Sequence, residues 1–118
     1  MLIDTHAHLA WPDFDADREA VLARAAEAGV HAMVTIGIDL DSDARCVELA
    51  ERHPQVWAAV GFHPNDARAF TDAEWDRLES LARHARVVAI GETGLDWYRD
   101  TARPEHQRVH PRPGLLDR

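Results

Sequence analysis

The sequence predicts an α/β protein built from parallel (β/α) units, and three observations carry that reading. Short apolar runs alternate with helical stretches at about 25 to 30 residues per unit, the rhythm of right-handed strand-helix-strand connections. The runs 32–38 and 56–62 are apolar almost throughout, as strands of a sheet covered by helices require. Side chains able to bind metal recur at the carboxyl ends of the strands, where parallel α/β folds build their sites.

The first strand runs from Met1 to His8. Successive side chains of a strand alternate between faces, so Asp4, His6 and His8 share one face while Ile3, Thr5 and Ala7 share the other. Pro12 and the aspartates of the next segment break regular structure. A helix then starts near Asp15 or Asp17 and runs to Glu27; it is rich in alanine, with Val21, Leu22, Ala25 and Ala28 on its buried side and Gly29 as its stop. The second strand occupies 32–38 and the second helix about 42–52. The third strand, 56–62, leads into His63-Pro64, and Thr71 with Glu74 three residues on marks the cap of a third helix. The run 87–92 is the fourth strand, ending on Glu92. No internal repeat or low-complexity segment precedes residue 100.

Composition narrows the function. The chain has 118 residues, one domain's worth and short of the roughly 250 of a closed eight-stranded α/β barrel. Its formal charge is −8, with 21 acidic residues against 13 basic ones, all of them arginine. Such a balance excludes the broad basic footprint of a duplex-coating protein, so a nucleic acid would be gripped locally, by metal and a few arginines. The lone Cys46, within the second helix, reads as a small buried side chain. Asp4 and His6 interrupt the N-terminus before a signal peptide's apolar core could form, and no run reaches membrane-spanning length, which predicts a soluble cytoplasmic protein with no membrane partner.

The candidate chemistry gathers at one end of the sheet: His6 and His8 close the first strand, His63 follows the third and Glu92 closes the fourth. Two imidazoles on one face suit zinc, manganese and other borderline divalent ions, and that face can accept a carboxylate from another strand. The competing reading of His6 and His8 is a pair of surface histidines near a terminus. His31, His53 and His84 fall at or just beyond helix ends on the opposite side and read as structural or solvated.

Three segments carry a resemblance. Asp4-Thr5-His6-Ala7-His8-Leu9, Gly61-Phe62-His63-Pro64 and Gly91-Glu92-Thr93-Gly94-Leu95-Asp96-Trp97-Tyr98-Arg99 resemble, in order and spacing, the first three signature motifs of the TatD-like metal-dependent deoxyribonucleases. The resemblance covers residues 1 to about 108. It implies an amidohydrolase-type barrel related to the TIM fold, with residues 1–107 supplying the N-terminal half and about the first four strands. It also implies a site for two divalent metal ions (Zn, Mg or Mn), in which His6 and His8 hold one ion and Glu92 bridges to the second. A water between the ions would be the nucleophile, Glu92 and His63 would serve catalysis, and His63 would contact the scissile phosphate. Arg99 would pair with phosphate, while Tyr98 or Trp97 would stack on a base. Packing beside Pro64 is the competing reading of His63, and plain packing that of the two aromatics.

Beyond Gln107 the resemblance stops. Family members continue into a long amphipathic helix and later strands bearing two further histidine ligands and an aspartate, whereas Pro111, Pro113 and Gly114 forbid that helix here and leave His110 a poor ligand. Residues 108–118 therefore read as a proline-rich tail, disordered or frame-shifted, and the chain as supplying ligands mainly for one metal. An open half-barrel also predicts self-association. Three function classes follow: a metal-dependent hydrolase of phosphodiester bonds in single-stranded DNA or a similar substrate; another hydrolase on the same barrel, acting on an amide or an ester such as an aminoacyl-tRNA bond; and a non-catalytic fragment.

Overall fold

A computed structural model describes residues 1–99 and 101–108. Strands β1 (Leu2–Ala7), β2 (Val30–Ile36), β3 (Val56–Val60) and β4 (Val87–Ile90) form one parallel sheet in the order β1-β2-β3-β4. Helices α1 (Arg18–Glu27), α2 (Leu40–Arg52) and α3 (Asp72–Ala82) make the three crossovers, and the one-turn α4 (Pro104–Gln107) follows the loop after β4. Strands adjacent in sequence are adjacent in the sheet, the order in which a (β/α) barrel is laid down. The predicted α/β architecture is therefore the observed one. The expectation for the tail beyond Arg108 lies outside the described residues, among which no helix is long and apolar enough to cross a membrane.

The core fills the space between the helices and one face of the sheet. Leu22 of α1, Cys46, Val47 and Ala50 of α2, and Leu78 and Ala82 of α3 pack with Val56, Ala58 and Val60 of β3 and Val87 of β4. Cys46 is fully buried, as its composition-based reading required, and burial pushes its thiol up to about 11. Burial is less even than the apolar runs imply. Only β3 is enclosed along nearly its whole length, while Leu2 (60% exposed) and Ile3 (58%) of β1 and Val88 (55%) of β4 remain in solvent. These are the outer strands, each paired on one side only among the described residues.

Several boundaries move from their predicted places, each for a local reason. Helix α1 begins at Arg18, after Asp17, and its end matches the prediction: Gly29 follows at φ +87°, a conformation glycine adopts without strain. Val21, Leu22 and Ala25 face inward, but Ala28 is exposed because it is the C-cap, beyond the last turn that packs. Strand β2 starts two residues early, since Leu2 donates its N–H to the Gly29 carbonyl and pairs with Val30. It ends at Ile36 because the N–H groups of Ile38 and Asp39 turn to the Ser42 hydroxyl. That contact belongs to a capping box in which Asp39 accepts from the Ser42 N–H, so α2 begins at Leu40 rather than Ser42. Strand β3 stops at Val60 because the next amide, of Gly61, donates to the buried Asp43 carboxylate instead of a neighbouring strand. Thr71 and Glu74 form the predicted capping box of α3.

Candidate metal centre

The centre is assembled from the two outermost strands of the sheet. His6 lies at the end of β1, His8 just beyond it rather than within it as predicted, and Glu92 two residues beyond β4, yet His6 Nε2 is 2.9 Å and His8 Nε2 3.5 Å from Glu92 Oε1. Strands three places apart in a flat sheet would lie about 14 Å apart. The sheet therefore curls at its carboxyl end, as strands of a barrel do. An irregularity in β1 contributes: Asp4 pairs with Met33 but Ala7 with Thr35, so an extra residue is accommodated around Thr5 and His6 and re-aims the strand end. Asp4 shares the histidines' strand but does not join them; its Oδ1 accepts the backbone N–H of His6, 3.0 Å away.

One ligand atom each from His6, His8 and Glu92 lies within 4.8 Å of the others. Donors about 2.1 Å from a shared ion, at tetrahedral to octahedral angles, are about 3.0 to 3.4 Å apart, close to the two histidine-carboxylate separations. Hydrogen bonding prepares at least one donor. His8 Nδ1 lies 3.1 Å from the Ile36 carbonyl, which can only accept, so Nδ1 carries the proton and the Nε2 lone pair faces Glu92. The residues present thus fit a divalent ion.

His63 is prepared in the opposite sense. It is the N-cap of the 3₁₀ turn Pro64–Asp66, and its Nδ1 accepts the Asn65 N–H at 3.1 Å. Its neutral ring therefore carries hydrogen on Nε2, which donates to Glu92 Oε2 at 2.9 Å. Backbone bonds fix this position: the His63 N–H reaches the Ile38 carbonyl at 2.9 Å, and Gly61 is anchored on Asp43. Asp43 has both oxygens near the Gly61 N–H, at 3.0 and 3.2 Å, and burial pushes its carboxyl up to about 8.

The loop after Glu92 is folded around Asp96. Its Oδ1 accepts from the N–H groups of Tyr98 (2.8 Å) and Arg99 (3.2 Å), and its Oδ2 from the Asn65 side chain (2.7 Å). These bonds, that from Tyr98 foremost, hold the Asp96 carboxyl below its ordinary value. Gln107 of α4 closes the loop from the other side, accepting from the Asp96 N–H and donating to the carbonyls of Asp96 and Ala102. The result places Arg99 on the wall of a cleft of about 290 Å³ that also includes His8, Trp11, His63 and Glu92. Tyr98 is 94% exposed and Trp97 66%, and neither lines the cleft. A larger apolar cleft of about 460 Å³, bounded by Phe62, Phe70, Trp75 and Leu95, holds none of the candidate ligands.

The structure thus brings His6, His8, His63 and Glu92 together, with Arg99 beside them. His53 and His84 pair with Glu19 and Glu51, and His31 bonds the Gly29 carbonyl, away from the centre as their positions implied. Sequence reasoning passed over Trp11, Asn65 and Asp43. Only Trp11 carried a usable signal, a large aromatic just past a strand end that bears two histidines.

The chain is similar to known proteins along most of its length. The family model for TatD related DNase matches residues 3–110. An uncharacterized metal-dependent hydrolase, YabD, of Bacillus subtilis is 39% identical over 108 residues, covering 92% of this chain and 42% of that protein. The 3'-5' ssDNA/RNA exonuclease TatD of Enterobacter lignolyticus is 38% identical over 108 residues, with the same coverages. The crystal structure of YJJV, a TatD homolog from Escherichia coli K12, superposes with a TM-score of 0.80 at 39% identity, covering 90% of this chain and 42% of that one. The chain thus spans less than half the length of the relatives it matches.

Proposed function

The chain belongs to the family of TatD-related DNases, and from that premise we propose that it contributes the metal-binding strands of a hydrolase of phosphodiester bonds in single-stranded DNA or a related nucleic acid. The observation that carries the reading is the placement of Glu92, with one oxygen toward His6 and His8 and the other toward His63. Divalent ions such as zinc, magnesium or manganese supply Lewis acidity toward a phosphoryl oxygen and toward water when bound. His6 and His8 would hold one such ion through their imidazole nitrogens, with Glu92 as the carboxylate ligand shared with a second. His63 Nε2–H donates to Glu92 Oε2 in this structure and would turn to a phosphate oxygen entering the cleft once Glu92 faced metal. Arg99 offers charge to the same phosphate or its neighbour. Tyr98 and Trp97 stand exposed on the loop, open to stacking on bases farther along a strand. Relatives named as exonucleases of single-stranded DNA and RNA support the substrate class.

The test is a chelator-stripped sample of the 118-residue chain, restored separately with each of the three ions and offered single-stranded DNA and an ester substrate. Metal-restored cleavage of the DNA supports the proposal. Metal-dependent turnover of the ester alone transfers it to the other hydrolase class, and activity indifferent to chelator overturns both. Absence of all turnover leaves a non-catalytic chain.

A further inference from the structure

We propose that Trp11 forms a nucleobase-stacking subsite beside the metal centre, an inference that rests on the phosphodiesterase reading above. The indole stacks on the His8 imidazole, with ring centroids 4.6 Å apart and 28° between the planes. His8 is the residue whose Nε2 faces Glu92, so the indole is one ring away from the candidate ligand atoms. The side chain is not sealed in the core. Trp11 is 38% exposed and borders the cleft that also contains His63, Glu92, Arg99 and Thr101.

The platform is held before any ligand arrives. The Trp11 N–H donates to the His8 carbonyl at 3.1 Å, and its own carbonyl accepts from the Arg18 guanidinium at 2.9 Å and from the Phe14 N–H at 3.1 Å. The same guanidinium reaches the Leu9 carbonyl at 2.7 Å, and Pro12 restricts the Trp11 backbone to the extended conformation observed. A rigid aromatic surface loses little freedom when a second ring covers it. A phosphate held by His63 and Arg99 leaves its nucleoside inside this cleft, and the indole is the aromatic wall there. Stacking on indole is open to every base, since each has a π-face. The subsite therefore grips the base nearest the reacting phosphate without reading its identity. Trp97 and Tyr98, outside the cleft lining, are placed for other bases.

The experiment measures equilibrium binding of two fluorescein-labelled strands to the chain in Ca²⁺: a short oligothymidylate, and the same strand with abasic residues throughout. The native chain, Trp11→Ala and Trp11→Phe are compared after circular dichroism confirms that each is folded. The native chain is expected to bind the base-bearing strand more tightly than the abasic one. Trp11→Ala is expected to shrink that preference by roughly 5- to 150-fold, the range that stacking on one aromatic ring spans, while leaving affinity for the abasic strand in place, and Trp11→Phe to restore part of it. An undiminished preference in Trp11→Ala overturns the proposal. So does an equal loss for both strands, which would mean that Trp11 acts only by propping His8. If the native chain binds neither strand, the phosphodiesterase reading falls, and the subsite with it.

Discussion

Replacing Asp43 by asparagine should stabilise the fold at neutral and alkaline pH and flatten its pH dependence. Asp43 is completely buried on α2, and the contact that holds it is the Gly61 N–H, shared by its two oxygens. Arg77 draws its charge only from a distance, while Asp39 opposes it, and burial outweighs both, pushing the carboxyl up to about 8. In the unfolded chain the same group ionises near 3.9. The folded state therefore holds its proton more tightly, and the associated stability is complete below about pH 4 and lost as pH rises through 8. At about 1.4 kcal/mol per unit, the four units between these values set an upper bound of roughly 5 kcal/mol. Asparagine keeps an oxygen for Gly61 and never ionises. Urea unfolding of both proteins at matched concentration, from pH 5 to pH 8, should show the variant's advantage widening by up to about 1.4 kcal/mol per pH unit. Parallel curves, or a variant less stable at pH 8, would refute the reasoning: the carboxylate would then be tolerated or required in its ionised form.

Other substitutions probe the centre more directly. Gly61→Ala places a methyl 2.8 Å from the Gly91 carbonyl oxygen and 2.9 Å from its carbon; it should cost about 1–3 kcal/mol as β3 and β4 part, and an unchanged urea midpoint would show that the strands do not approach so closely. His6→Ala and His8→Ala should each weaken zinc binding by at least 10- to 100-fold in calorimetric titrations, the range set by lesser, outer contacts; native affinity in either variant removes that residue from the ligand set. His63→Ala should bind metal nearly as the native chain does but cleave single-stranded DNA about 100-fold more slowly, as loss of one positioned donor would produce; a parallel fall in metal affinity would make His63 a ligand.

The fold and the clustering of the candidate ligands were legible for a shared reason. Strand ends in a parallel sheet are marked by where apolar runs stop, and His6, His8, His63 and Glu92 stand at those stops. What stayed hidden depends on contacts between distant segments. Asp43 follows Asp39 and Asp41 at a helix start and looks like another solvated acid; only the approach of Gly37 and Gly61 buries it. The same bond ends β3 two residues before its apolar run does, so that boundary could not be read from hydrophobicity. Trp11 lies in the segment broken by Pro12, and its stacking on His8 depends on where the chain turns back. Tyr98 and Arg99 are neighbours in the motif but part company in space, since Asp96 gathers both amides and only Arg99 is directed to the cleft.

The origin of the candidate ligands on opposite borders of the sheet has a thermodynamic consequence. An ion seated between His6 and Glu92 would join the first strand to the last and act as a reversible cross-link across nearly all of the described chain. By mass action it would stabilise the folded state by about 2.7 kcal/mol at a hundredfold excess over its dissociation constant. Metal affinity and sheet curvature would then be linked: whatever flattened the sheet, even at the contact of Gly61 and Gly91, would loosen the ion.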